Sequence, residues 1–139
     1  MARILLVDDE PDLLHTLADI LKGEGHVVEV AKHGADALRS LSRLPLPDLV
    51  LLDLLMPVMD GWTFLTRVRE RPELANLDIV VVSASYRAAD EAAERGVRFL
   101  PKPISIASLL EHVARVEPSA RRPSYPSSLE VAVAGRTAA

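Results

Sequence analysis

Five short, largely apolar runs separated by helix-period segments restrict this chain more than any other feature. The runs are Ile4 to Val7, Val27 to Ala31, Leu49 to Leu52, Ile79 to Val82 and Val97 to Leu100. Runs of four or five residues suit strands buried on both faces, and so a parallel sheet with covered sides. Between them lie helical patterns. Leu13, Leu14, Leu17, Ile20 and Leu21 share one face, behind Pro11 in the first turn and ahead of Lys22-Gly23-Glu24-Gly25. A second helix carries Ala35, Leu38 and Leu41 and is stopped by Pro45 and Pro47. A third starts near Gly61 and carries Phe64, Leu65 and Val68. The fourth is short and alanine-rich, about Arg87 to Glu94, and Gly96 closes it. The fifth carries Ile106, Leu109, Leu110, Val113 and Val116. Five such β-α units imply a doubly wound α/β domain with right-handed crossovers and helices on both faces.

A chain of 139 residues suits one domain, and its 49% of apolar residues suffices for a core. Sixteen basic against 20 acidic residues leave a formal charge of −4, no footprint for nucleic acid. The absence of cysteine removes disulfides, thiol nucleophiles and Cys-based metal sites, and suits a reducing compartment. No apolar run approaches the ~20 residues of a membrane span. The N-terminus enters Ile4-Leu5-Leu6-Val7 and then acidic residues, unlike a secretory leader. A cytoplasmic location is therefore expected, with no membrane partner. Residues 117–128 change character: three prolines and four serines in this stretch read as a flexible tail or linker. Leu129 to Ala134 alternate weakly like a strand, but five strands already complete the domain. The expected organisation is one domain over 1–116 and a Pro/Ser-rich tail or linker over 117–139, with no output domain.

In an open parallel sheet, ligands bind at the carboxyl ends of the strands near the switch in strand order. Here the first strand ends in Asp8-Asp9, the third in Asp53 and the fourth in Ser83, and the fifth leads to Lys102. Three carboxylates on one rim repel, and keeping all of them ionised calls for a cation. A hard divalent ion with oxygen ligands, Mg2+ or else Mn2+, is the natural choice. The metal, Ser83 and Lys102 would then surround a phosphoryl group with positive charge and donors. Taken singly, each residue has a plainer reading. Asp8-Asp9 suits a turn and helix cap, Asp53 a loop acid, Ser83 a strand-end hydroxyl and Lys102 a solvated surface lysine. Their joint arrival at equivalent strand ends is what favours a site.

Four ordered motifs carry a resemblance. They are Leu6-Val7-Asp8-Asp9-Glu10, then Asp53-Leu54-Leu55-Met56-Pro57-Val58-Met59-Asp60-Gly61, then Ser83-Ala84, then Phe99-Leu100-Pro101-Lys102-Pro103. With them, residues 1–116 resemble the receiver domain of two-component response regulators, the CheY-like, flavodoxin-like (βα)5 fold with strand order 2-1-3-4-5. The resemblance implies Asp53 as phosphoacceptor. It implies Asp9 as a direct Mg2+ ligand, Asp8 as a ligand largely through water, and Asp53 with the backbone carbonyl of Leu55 as the remaining protein ligands. Ser83 and Lys102 would bind the phosphoryl oxygens, Phe99 would be the switch aromatic, and the Lys102–Pro103 peptide would be cis. The phosphoryl donor would be a phosphohistidine on a sensor histidine kinase or a histidine phosphotransfer protein. Asp53 should attack as an ordinary carboxylate, ionised at neutral pH with a pKa near ~4. Output should be contact with a downstream protein, through the face of the fourth helix, fifth strand and fifth helix. A dimer through that same face is open, and direct DNA binding is not expected.

Some positions depart from the family. Ser83 and Lys102 are 19 positions apart, about one helical turn less than usual, so the fourth helix should be shortened. The switch aromatic is Phe rather than Tyr, and Ser83 stands where Thr is commoner. Two rivals are weaker. A HAD-like phosphatase also uses an aspartyl phosphate and Mg2+, but needs a second Asp two residues past the nucleophile, where Leu55 stands. A receiver serving only as a scaffold would typically lack one of the acids or the lysine, and all are present. The chain should thus be no enzyme toward other substrates, catalysing only its own phosphorylation and slow dephosphorylation. Trp62 reads as half-buried packing. His15, His26, His33 and His112 show no metal-ligand spacing and read as surface or helix residues.

Overall fold

The computed structural model describes residues 1–43, 45–55 and 59–116. The tail expected over 117–139 and the Met56-Pro57-Val58 part of the second motif lie outside the described residues. Five strands, β1 (Arg3–Val7), β2 (Val27–Ala31), β3 (Leu49–Asp53), β4 (Asp78–Ser83) and β5 (Arg98–Pro101), form one parallel sheet in the order β2-β1-β3-β4-β5. Five helices alternate with them: α1 (Pro11–Gly23), α2 (Gly34–Ser40), α3 (Gly61–Arg69), α4 (Tyr86–Glu94) and α5 (Ile106–Ala114). This is the flavodoxin-like, CheY-like arrangement. A 3₁₀ turn at Pro72–Leu74 follows α3 and has no counterpart in the sequence pattern. Its lone buried apolar residue, Leu74, gives no helical period to read.

Strand alternation builds two cores. Leu5, Val7, Val50, Leu52, Ile79 and Val81 face a cluster closed by Ala37 of α2, Phe64, Leu65 and Val68 of α3, and Ala88 and Ala92 of α4. Ile4, Leu6, Leu49, Leu51, Val80, Val82 and Leu100 face the opposite cluster, closed by Leu14, Leu17 and Leu21 of α1 and Leu109 and Val113 of α5. The central strand β3 is buried along its whole length. β2 is not buried on both faces as its apolar run suggested. It is an edge strand, and Val27, Glu29 and Val30 are exposed.

Local chemistry sets the ends of the helices. Pro11 begins α1, and Gly25 at φ 93° provides the left-handed turn into β2. Asp60 caps α3 by accepting from the Thr63 N–H at 2.8 Å, and Ser105 caps α5 through the Ser108 N–H at 3.3 Å. His33, read as a surface or helix residue, caps α2 by accepting from the Asp36 N–H on Nδ1 at 3.2 Å. α4 has nine residues and Gly96 follows it at φ 70°.

Candidate functional site

Register brings the rim together. Asp53 ends β3 opposite Val82 of β4, and Ser83 ends β4 opposite Pro101 of β5. The Lys102 N–H donates to the Ser83 carbonyl at 2.9 Å, and the Lys102–Pro103 peptide is cis. Asp8 follows β1, its N–H donating to Ala31 O at 3.1 Å and its Oδ1 accepting from the Glu10 N–H at 2.9 Å. This second bond ties the acidic pair to the start of α1.

The carboxylate oxygens of Asp8, Asp9 and Asp53 lie within 4.8 Å of one another. Asp8 and Asp53 are buried, Asp53 with 5% exposure, while Asp9 is exposed. The Lys102 ammonium bridges the two buried acids, 3.2 Å from Asp8 Oδ2 and 3.3 Å from Asp53 Oδ1. One cation against three anions leaves about two negative charges on the rim. Burial, then the charge of Asp8, pushes the Asp53 carboxyl up to about 6, with Lys102 and a backbone hydrogen bond from Leu55 pulling the other way. Asp53 is therefore not the ordinary carboxylate its motif suggested, because sequence reveals neither its desolvation nor the nearness of Asp8. Burial works against the charge on Lys102, but Asp53 and Asp8 beside it outweigh that and raise its pKa. Ser83 is buried and its Oγ accepts from the Ser85 N–H at 3.1 Å. Leu55 is 77% exposed beside the acids, and Phe99 is partly buried, packed on the cluster beneath α2, α3 and α4.

These donors suit a hard cation. They are all oxygens, they carry uncompensated charge, and burial and then the charge of Asp8 disfavour the ionised form of Asp53.

Gly61, which the motif singled out only as a helix start, fixes the backbone under Asp53. Its N–H donates to the Leu54 carbonyl at 3.0 Å. A Cβ on it would lie 2.8 Å from the Asp53 carbonyl oxygen and 2.6 Å from Leu54 Cδ2. Helix propensity alone favours Ala over Gly by ~0.5–1 kcal/mol in a helix interior. The clash with unyielding backbone predicts the opposite sign. Gly61→Ala should destabilise by about 1–3 kcal/mol, read as a lower denaturant midpoint at unchanged slope. A stabilised Ala variant would show that this approach does not constrain the loop.

Comparison with known proteins agrees with this geometry. The family described as the response regulator receiver domain matches residues 4–114. The Pseudomonas aeruginosa protein PilH is 32% identical over 119 residues, covering 84% of this chain and 98% of that protein. The Vibrio cholerae chemotaxis protein CheY4 superposes with a TM-score of 0.75 at 29% identity, covering 84% of this chain and 99% of that one. The Thermotoga maritima response regulator TrrA, solved in complex with Mg2+ and BeF, superposes with a TM-score of 0.72 at 28% identity, covering 82% and 97%. With sheet order, rim and family match in agreement, this chain belongs to the response regulator receiver domain family.

Proposed function

We propose that this domain takes a phosphoryl group onto Asp53 from a phosphohistidine of a sensor histidine kinase or phosphotransfer protein, and that this changes which proteins it binds. The observation that carries the reading is the buried Asp53 carboxylate within 4.8 Å of Asp8 and Asp9 and 3.3 Å from the Lys102 ammonium. Asp9, Asp8, Asp53 and the Leu55 carbonyl would hold Mg2+, with Mn2+ as a substitute. When bound, the ion supplies positive charge to the acids and to the phosphoryl oxygens. The chain's own residues do the rest. Asp53 is the nucleophile, and at pH 7 it is mostly ionised even with its pKa near 6. Lys102, already on an Asp53 oxygen, is positioned to neutralise charge on the transferred group. Ser83 would exchange its bond from the Ser85 N–H for one to a phosphoryl oxygen. That exchange would move the start of α4 and bias the packing of Phe99, so phosphorylation shifts an existing equilibrium.

Output by protein contact fits the mild acidity of the chain. Among the described residues no helix is long and apolar enough to cross a membrane. The α4–β5–α5 face is the proposed contact surface, for a partner or a second copy. The direct test is incubation with Mg2+ and phosphorylated histidine kinases, followed by intact-mass analysis. One phosphoryl group per chain supports the reading; none from any kinase or small donor overturns it.

Lifetime follows from residue 55. Hydrolysis needs a water held in line by polar groups, and exposed Leu55 offers none. The phosphorylated state should last minutes or more, and Leu55→Asn should shorten it several-fold. Equal decay in the two proteins, followed by loss of the incorporated mass, would show that this position does not govern water access.

A further inference from the structure

Little apolar matter holds α4 to the sheet. Its buried side chains are Ala88 and Ala92, whereas α1 buries Leu14, Leu17, Ala18 and Leu21. What α4 has in addition is a polar attachment to α3. The Trp62 indole N–H donates to Glu91 Oε1 at 3.2 Å. The Arg95 guanidinium lies over the same ring, 4.4 Å from its centroid. Glu91 and Arg95 are one helical turn apart, so both reach one indole. Trp62 also packs against the core cluster and directly follows Gly61. Gly61 in turn abuts the Asp53 carbonyl and bonds the Leu54 carbonyl. The ring is thus one peptide away from the backbone that carries the phosphoacceptor.

We propose that Trp62, gripped by Glu91 and Arg95, fastens α4 to the start of α3 and couples occupancy of the Asp53 site to the position of α4. The proposal rests on the reading of Asp53 as phosphoacceptor. The route is separate from Ser83 and Phe99, since it leaves the site through β3 and α3 rather than through β4 and β5. An attachment made in the unloaded protein opposes any arrangement in which α4 has moved against α3. By reciprocity, loosening it tightens binding at Asp53.

The full chain carries one tryptophan, so its fluorescence reports this contact, and Mg2+ with beryllofluoride serves as the phosphoryl mimic. The mimic should change Trp62 emission in the wild type and leave Asp53→Asn unchanged. Glu91→Leu, which removes the acceptor, and Arg95→Met should each bind it about three- to tenfold more tightly. In the unloaded proteins, amide exchange over residues 86–94 should be several-fold faster than in the wild type. Trp62→Phe keeps the aromatic bulk and loses the donor. Its exchange should match that of Glu91→Leu, and combining the two should add little. Affinity that is unchanged or weaker in both Glu91→Leu and Arg95→Met overturns the coupling, as does unaltered exchange. If the wild type fails to take up the mimic, the phosphoacceptor reading falls and the coupling with it. The exchange measurement then still decides whether the attachment holds α4.

Discussion

Asp53→Asn is expected to abolish phosphoryl incorporation from a small acyl phosphate in the presence of Mg2+, while the wild type gains one group per chain. The amide keeps the size of the carboxylate and removes its nucleophilic charge. The two remaining acids are poor substitutes. Asp8 Oδ1 is committed to the Glu10 N–H and its Oδ2 to Lys102, and Asp9 is exposed at the margin. Intact-mass analysis reads the outcome directly, and persisting stoichiometric labelling would remove Asp53 from the mechanism.

The same substitution should stabilise the metal-free fold, an effect that a purely structural acid would not give. Asp53 has a pKa of about 6 in the fold against an ordinary value of 3.8. Between those values the folded chain holds the proton more tightly than the unfolded one. Stability contributed by the protonated carboxyl is therefore lost as pH rises through roughly 4 to 6, and the deficit is complete above that window. That difference corresponds to at most about 3 kcal/mol. In EDTA, Asn at position 53 should raise the urea midpoint at pH 7.5 by an amount equivalent to about 1–3 kcal/mol, and raise it far less near pH 4. A lower midpoint at pH 7.5 would mean that the bond to Lys102 outweighs burial and repulsion.

Much of this was legible because Asp8, Asp53 and Ser83 each sit immediately after an apolar run. Their strands place these three residues, so topology alone assembles them, and the family motifs imply roles for them. What sequence could not give is depth and neighbourhood. The run Val27 to Ala31 looked like a buried strand, yet order in the sheet, not composition, made it an edge. Asp53 looked ordinary, because its raised pKa comes from burial and from Asp8, 45 residues away. Trp62 looked like packing, because Glu91 and Arg95 reach it only through the crossing of α3 and α4. The Asp60-Gly61 pair marked a turn and a cap, but the approach of Asp53 to Gly61 is a property of the folded loop.

Chelation should be as damaging as loss of the nucleophile. Without a cation the rim holds Asp8, Asp9 and Asp53 against Lys102 alone. A phosphoryl group would bring further negative charge onto it. Labelling from a small donor should therefore fall to background in EDTA and return with Mg2+ or Mn2+. The acids should divide by what else they do. Asp9 is exposed, so Asp9→Ala should leave the fold intact and remove metal binding and labelling together. Asp8 accepts from Glu10 and Lys102. Asp8→Ala should weaken metal binding less, because Lys102 is then left to Asp53 and one repelling charge is gone. Binding has a readout independent of phosphorylation. Ligand that binds only the folded state stabilises it by mass action, about 1.4 kcal/mol at tenfold its dissociation constant. Millimolar Mg2+ should thus raise the wild-type melting temperature by several degrees, and the shift should vanish in Asp9→Ala. Protons compete for the same oxygens, so the shift should also shrink as pH falls below the Asp53 pKa of about 6. Full labelling in EDTA, or an undiminished melting shift in Asp9→Ala, would show that the acidic rim is not a metal site.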